Sequence, residues 1–397
     1  MRRPALTSGW VIAILAGSIA VVPASVDMPL PALPEIAQVF ATTGSNAQLV
    51  ISLFLLGFAA GQLVYGPVSD MVGRRGPLFF GLTLFVLASV GCVLAPSIGA
   101  LIFFRATQGI GGSAVMVIPR AIIRDRYRGI EATRMMALVM LVISIGPMLA
   151  PLLGSGLILL WGWRAVFVAI GATAVVALAL VWKVLPETHT PERRRVVSLA
   201  DMGRGFRTLL TDPTFLGLTA IGGLGMASFF SFLSSSSFLY IGHFGLSPTG
   251  FSLAFSFNAI GFFTASQFAA RLGAIHGIPA VIRAAVAGYA GFALVHVAIV
   301  LAGVDSLPVL MAMLFLTFAN LGLVIPTAMI LALEEHGPIA GIASALGGTL
   351  QMVLGAVMIA LTSAVFDGTA LPMVLIIAGC ACIAFVLSRR TLPAARA

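Results

Sequence analysis

The sequence is poor in charge: only 9% of its 397 residues are Asp, Glu, Lys or Arg. A soluble domain carries about 25%, because its surface must be hydrated. The shortage excludes a large water-facing domain, and with it the usual soluble enzyme. Cysteine is scarce as well. Cys92, Cys380 and Cys382 lie in apolar stretches, so they build no disulfide framework, and no His or Asp gathers beside them as a metal site. No nucleophile–base pair stands out either. Gly109-Ile-Gly111-Gly112 has the look of a nucleotide loop, but no strand–turn–helix context surrounds it. Small residues for close helix packing explain it better.

What the chain does have is apolar length, with 60% hydrophobic residues. About 20 apolar residues span a bilayer. Such runs fall at 9–30, 46–68, 77–96, 98–122, 134–159 and 164–185, then at 214–240, 248–270, 279–303, 307–333, 339–366 and 370–388. The expectation is an all-α polytopic membrane protein of twelve transmembrane helices, arranged as two pseudo-symmetric six-helix bundles over 1–185 and 214–397. A charged cytoplasmic linker, 186–213, joins them; it holds Glu187, Glu192, Arg193, Arg194, Arg195, Asp201, Arg204, Arg207 and Asp212.

The net charge of +9 would suit nucleic acid or anionic lipid, yet its distribution reports topology instead. With the N-terminus inside, 20 of the 22 basic residues fall on the inner side, all but Arg105 and Arg164. That is the positive-inside bias, and it puts both termini in the cytoplasm. A cleavable signal peptide beginning at Arg2-Arg3 competes with this reading, but its removal would break the even span count. The halves also echo one another at an offset of 200, where Gly61 and Gly73 recur as Gly261 and Gly273.

Two charges escape that topology. Asp27 lies in span 1 and Arg105 in span 4, each at an insertion penalty of about 2.5–3.5 kcal/mol at a helix centre. Counted from the span ends, both sit roughly 10–12 Å below the outer surface. One reading is a static ion pair between helices. The other is a proton or cation site, loaded and emptied as its surroundings change. Pro29, Pro31 and Pro34 follow Asp27 and are expected to break the outer end of span 1.

The loop between spans 2 and 3 reads Gly66-Pro67-Val68-Ser69-Asp70-Met71-Val72-Gly73-Arg74-Arg75. Taken alone it is a tight turn with positive-inside arginines. It also resembles the G-x-x-x-D-x-x-G-R-[RK] signature of the major facilitator superfamily. Arg105-Ala-Thr-Gln108-Gly109 is similar to that superfamily's R-x-x-Q-G segment in span 4. In span 5, Gly146-Pro147-Met-Leu-Ala150-Pro151-Leu-Leu-Gly154 resembles the antiporter motif G-P-x-x-G-G, with Ala150-Pro151 replacing the glycine pair. Asp27-Met-Pro-Leu-Pro-Ala-Leu-Pro34 is similar to the D-M-Y-L-P-A-L-P run of the bicyclomycin- and chloramphenicol-resistance (Bcr/CflA) exporters.

That resemblance implies a drug:proton antiporter of the bacterial inner membrane. It would be monomeric, without cofactor or metal, without nucleic acid, and driven by the proton gradient, its partners being protons, lipid and a small drug-like molecule. By analogy Asp27 carries the proton with Arg105 as electrostatic partner. Asp70, Arg74 and Asp125 form a cytoplasmic latch, and Gly146, Pro147, Pro151 and Gly154 shape span 5. A facilitator or metabolite transporter of the same fold stays open.

Other candidates for substrate contact are Gln108, Phe232, Ser235, Tyr240, Asn258, Asn320 and Gln351. The aromatics and serines of span 7 suit an amphiphilic pocket, or equally a lipid-facing helix whose hydroxyls bond to its own backbone. The three amides suit either substrate or helix–helix hydrogen bonds. His296, alone in span 9, reads as packed rather than titrating.

Overall fold

The structure, a computed structural model, describes residues 8–127, 129–188, 199–334 and 336–392. Arg2, Arg3, Arg128, Glu192, Arg193, Arg194, Arg195 and Arg396, which contribute to the charge pattern above, lie outside the described residues. The described chain is helical, with no strand. Its helices are α1 (Ser8–Asp27), α2 (Leu33–Val39), α3 (Gly44–Val72), α4 (Arg75–Leu94), α5 (Ile98–Arg126), α6 (Gly129–Trp161) and α7 (Trp163–Lys183). They continue as α8 (Leu199–Thr211), α9 (Pro213–Ser237), α10 (Pro248–His276), α11 (Ile278–Leu301), α12 (Leu307–Glu334), α13 (Ala340–Val365) and α14 (Leu371–Thr391).

Twelve segments among the described residues are long and apolar enough to cross a membrane. The first differs from its sequence bounds. It runs Gly17–Val39 and is not one helix, because α1 stops at Asp27 and a short 3₁₀ turn, Leu30–Ala32, leads into α2. Prolines 29 and 31 each lack the N–H a continuing helix needs, and Pro34 sits in the first turn of α2, where none is needed. The charged stretch before span 7 contains the short helix α8.

Two compact units form, Met1–Pro29 with Leu56–Ser198, and Leu30–Leu55 with Leu199–Ala397. The division falls inside α3. In the first unit α4 and α5 pack almost backbone to backbone: a Cβ on Gly111 would stand 2.6 Å from the Gly81 carbonyl oxygen. Small residues permit that approach, and membrane helices depend on it because lipid offers no hydrophobic drive to associate. In the second unit α9 is central, with every residue from Ala227 to Ser237 buried. Phe229 and Phe232 of α9 meet Phe318 of α12 at ring separations of 5.7 and 5.0 Å.

Local starts follow ordinary capping chemistry. Asp212 accepts from the Thr214 N–H at 2.8 Å ahead of Pro213, and Ser247 accepts from the Gly250 N–H at 3.0 Å ahead of Pro248. Each places an oxygen on an orphan helix donor and a proline where no donor is needed.

Candidate functional site

Asp27 is the last residue of α1 and only 3% exposed. Among the described residues its carboxylate receives no hydrogen bond and joins no ion pair. An unpaired carboxylate in a dry surround is costly, so its presence at the break in span 1 calls for a use.

Arg105 of α5 is fully buried. Its Nη2 donates to the Ser25 carbonyl at 2.9 Å and its Nη1 to Gln108 Oε1 at 2.5 Å, while the guanidinium lies 5.7 Å from the Phe167 ring centre. Gln108 Nε2 in turn donates to Ser89 Oγ at 2.8 Å. Arg105 therefore reaches α1 two residues before Asp27, and no ion pair joins the two among the described residues. The physical reason lies in the prolines. Helix geometry would send the N–H of residue 29 to the Ser25 carbonyl, but residue 29 is proline. The orphaned oxygen is what the guanidinium takes. A proline four residues after a helical carbonyl is the sequence signal for this contact.

At the far end of α5 a second cluster forms. Arg74, 4% exposed, pairs with Asp70 through Nη1, donates from Nε to Asp125 Oδ2 at 2.8 Å, and donates from Nη1 to Ser69 Oγ at 2.8 Å. Burial works against the guanidinium's charge, but hydrogen bonding to Asp125 and the charge of Asp70 outweigh it and hold its pKa above the ordinary value. Gly73 adopts φ 105°, a backbone setting that favours glycine and lets the chain turn sharply between α3 and α4. A Cβ on Gly66 would make only an ordinary contact with Val117, at 4.0 Å, and the Gly66 carbonyl accepts from Ser69 Oγ at 2.9 Å.

Glu187, read from sequence as part of the linker, joins this cluster. It accepts from the backbone N–H groups of Arg74 and Arg75 at 2.9 and 3.1 Å. A carboxylate there meets the positive end of α4. The Arg75 side chain donates to the Trp182 carbonyl at 2.5 Å.

The span 5 motif packs on α1 around Asp27. A Cβ on Gly146 would come within 2.6 Å of the Pro23 ring, and one on Gly154 within 2.3 Å of the Met28 carbonyl oxygen. Pro147 and Pro151 lie within the same helix, α6.

The remaining candidates divide. Tyr240 and Asn258 are bonded, Nδ2 to the phenol oxygen at 3.0 Å, and Phe232 packs on Tyr240 and Phe255 at 6.3 and 5.6 Å. Ser235 Oγ, Ser231 Oγ, Ser237 Oγ and Asn258 Oδ1 are buried without a partner. Ser234 and Ser236 bond to their own helix. Span 7 is thus buried rather than lipid-facing, though two of its hydroxyls do what the alternative expected. Asn320 donates to the Leu316 carbonyl of its own helix at 2.8 Å and packs against Gly288. Gln351 lies on Gly222, more than three helical turns before Ser235. Gln108 belongs to the Arg105 network. Among the described residues no group of His, Cys, Asp or Glu is arranged to hold a metal ion.

Comparison with known proteins accords with this arrangement. The family model described as "Major Facilitator Superfamily" matches residues 15–360. An uncharacterized MFS-type transporter of Bacillus subtilis is 33% identical, with 94% of this chain and 93% of that one covered. A bicyclomycin resistance protein homolog of Haemophilus influenzae is 29% identical over 90% of each. Among solved structures, an inward-facing, occupied bacterial homolog of the human lysosomal transporter Spinster superposes with a TM-score of 0.74. It covers 98% of both chains at 15% identity.

Proposed function

The chain belongs to the major facilitator superfamily, and from that membership we propose that it exports small drug-like compounds in exchange for protons by alternating access. It is a multi-pass transporter, not an enzyme. Relatives named for drug resistance support the class of cargo.

The observation that carries the coupling is Asp27, a buried carboxylate without a partner at the break in span 1. Protonation removes its charge, and with it the penalty of holding that charge in a dry site. Binding a proton therefore changes the relative energy of states in which the site is dry or wet, which is what coupling requires. The membrane potential adds about 2.3 kcal/mol per charge per 100 mV, so no further cofactor is needed. Arg105 positions α1 through the Ser25 carbonyl, and the Arg74 cluster latches the cytoplasmic ends of α3 and α5 in one facing state. Phe232, Ser235, Tyr240 and Asn258 contact the cargo. The protein works as a monomer in a bacterial inner membrane with both termini cytoplasmic, a topology supported by the lopsided placement of its basic residues.

Asp27→Asn is the test, in proteoliposomes with an imposed proton gradient. The variant is expected to insert and fold but to lose drug-coupled proton flux. Flux equal to the wild type removes Asp27 from the coupling. Drug movement that persists after the gradient is collapsed would make the protein a facilitator.

A further inference from the structure

Arg120 lies on α5, fifteen residues beyond Arg105 and six before the helix end at Arg126. Its Nε is buried with no hydrogen-bond acceptor, and its Nη2 meets only the thioether of Met116, at 3.6 Å. Thioether sulfur is a weak acceptor, and a guanidinium does not shed its proton in a protein.

The first unit has few anions to offer it. Asp70 and Asp125 are both on Arg74. Glu187 is on the backbone at the start of α4. Glu131 is exposed in the first turn of α6. Asp27 sits beside the level of Arg105, roughly 22 Å away along α5 at 1.5 Å per residue. The residue is only partly buried, so the outer edge of the guanidinium stays open to a ligand while Nε lacks any acceptor. Among the described residues this is a cation inside a span whose counter-charge the fold does not supply.

We propose that Arg120 is an anion-binding residue on the cytoplasmic half of the first unit, and that it takes the carboxylate of a transported small molecule. A planar two-pronged donor matches a carboxylate, and a partly buried charge with a dry, unpaired Nε gains from a ligand that pairs it. The carboxylate as cargo rests on the export reading; the anion site does not.

The test uses the full chain and the variants Arg120→Met and Arg120→Lys. In thermal unfolding at constant ionic strength, sodium benzoate is expected to raise the wild-type Tm more than benzamide does, and to lose that advantage in Arg120→Met. In proteoliposomes, the wild type is expected to prefer chloramphenicol hemisuccinate over neutral chloramphenicol by about tenfold, the equivalent of 1.4 kcal/mol. Arg120→Met should abolish the preference and Arg120→Lys should keep part of it. Equal protection by benzoate and benzamide in the wild type overturns the site, as does an undiminished preference in Arg120→Met. Benzoate protection without transport of either phenicol upholds the site and sinks the export reading instead. Drug transport indifferent to Arg120 does the reverse.

Discussion

The two units bury different chemistry. Among the described residues the first buries ions, Asp27, Arg74 and Arg105, whereas the second buries no Asp, Glu, Lys or Arg. In their place it buries hydroxyls, amides and aromatics: the five serines from Ser231 to Ser237 are all buried, accompanied by Tyr240, Asn258 and Tyr289. The difference lies in what each group demands. A buried ion needs partners from other helices, so the first unit is cross-braced by Arg105 to α1 and by Arg74 to α5. A hydroxyl can use a carbonyl of its own helix, as Ser234 does with Ser231, which leaves helix positions free. The first unit is thus braced between helices by ions, while the second holds hydroxyls and amides that leave its helices less tied together. At the offset of 200 the latch residues Asp70 and Arg74 correspond to Ala270 and Ala274, so the charged brace has no counterpart at those positions.

The contrast can be broken most directly at Arg105. Arg105→Ala strands the Ser25 carbonyl and Gln108, and is expected to abolish transport and lower stability by about 3 kcal/mol. Its counterpart in the second unit is Tyr289→Phe, which removes a hydroxyl bonded to Ser228. That change should leave transport intact and lower stability by about 1 kcal/mol. Unfolding and transport measured on both variants decide it: equal damage would mean that the second unit also depends on buried polar bracing.

Asp125→Ala comes next. It removes one of the two carboxylates on Arg74 and is expected to lower stability by about 2 kcal/mol, slowing turnover more than it weakens drug binding. A wild-type turnover rate would separate the Arg74 cluster from the transport cycle.

The smallest effect belongs to Asp212 in the second unit, whose carboxylate caps α9 and bonds His336 Nε2 at 2.8 Å. Burial raises its pKa, but the Thr214 N–H and His336 outweigh burial and hold it below the ordinary 3.8. Its contribution is therefore complete above pH 3.8 and lost as the pH falls through the lower folded value. Asp212→Ala should lower stability by about 1 kcal/mol at neutral pH, a difference that shrinks in acid. A gap that widens in acid would reverse the sign.

Much of this was legible in the residues. Long apolar runs leave few alternatives to spanning helices, and the prolines after Asp27 made a break in span 1 a matter of missing donors. The charges at Asp27 and Arg105 stood out because lipid tolerates so few. Arg105's acceptor was harder to see. Opposite charges at one depth suggested each other, yet the guanidinium takes the Ser25 carbonyl, and only packing reveals which of two nearby oxygens it meets. Glu187 was hidden for a similar reason, because its partners are backbone N–H groups more than a hundred residues away.

The sequence by itself determined the number of spans, the break after Asp27 and the residues too polar to be in lipid by chance, since each follows from local solvation and backbone chemistry. Tertiary structure alone decided which buried ions are paired, that Gly146 and Gly154 seat span 5 against the Asp27 break, and that Arg120 is left without an anion. Those outcomes depend on angstrom-scale approach between helices distant in sequence, and no spacing along one helix encodes that.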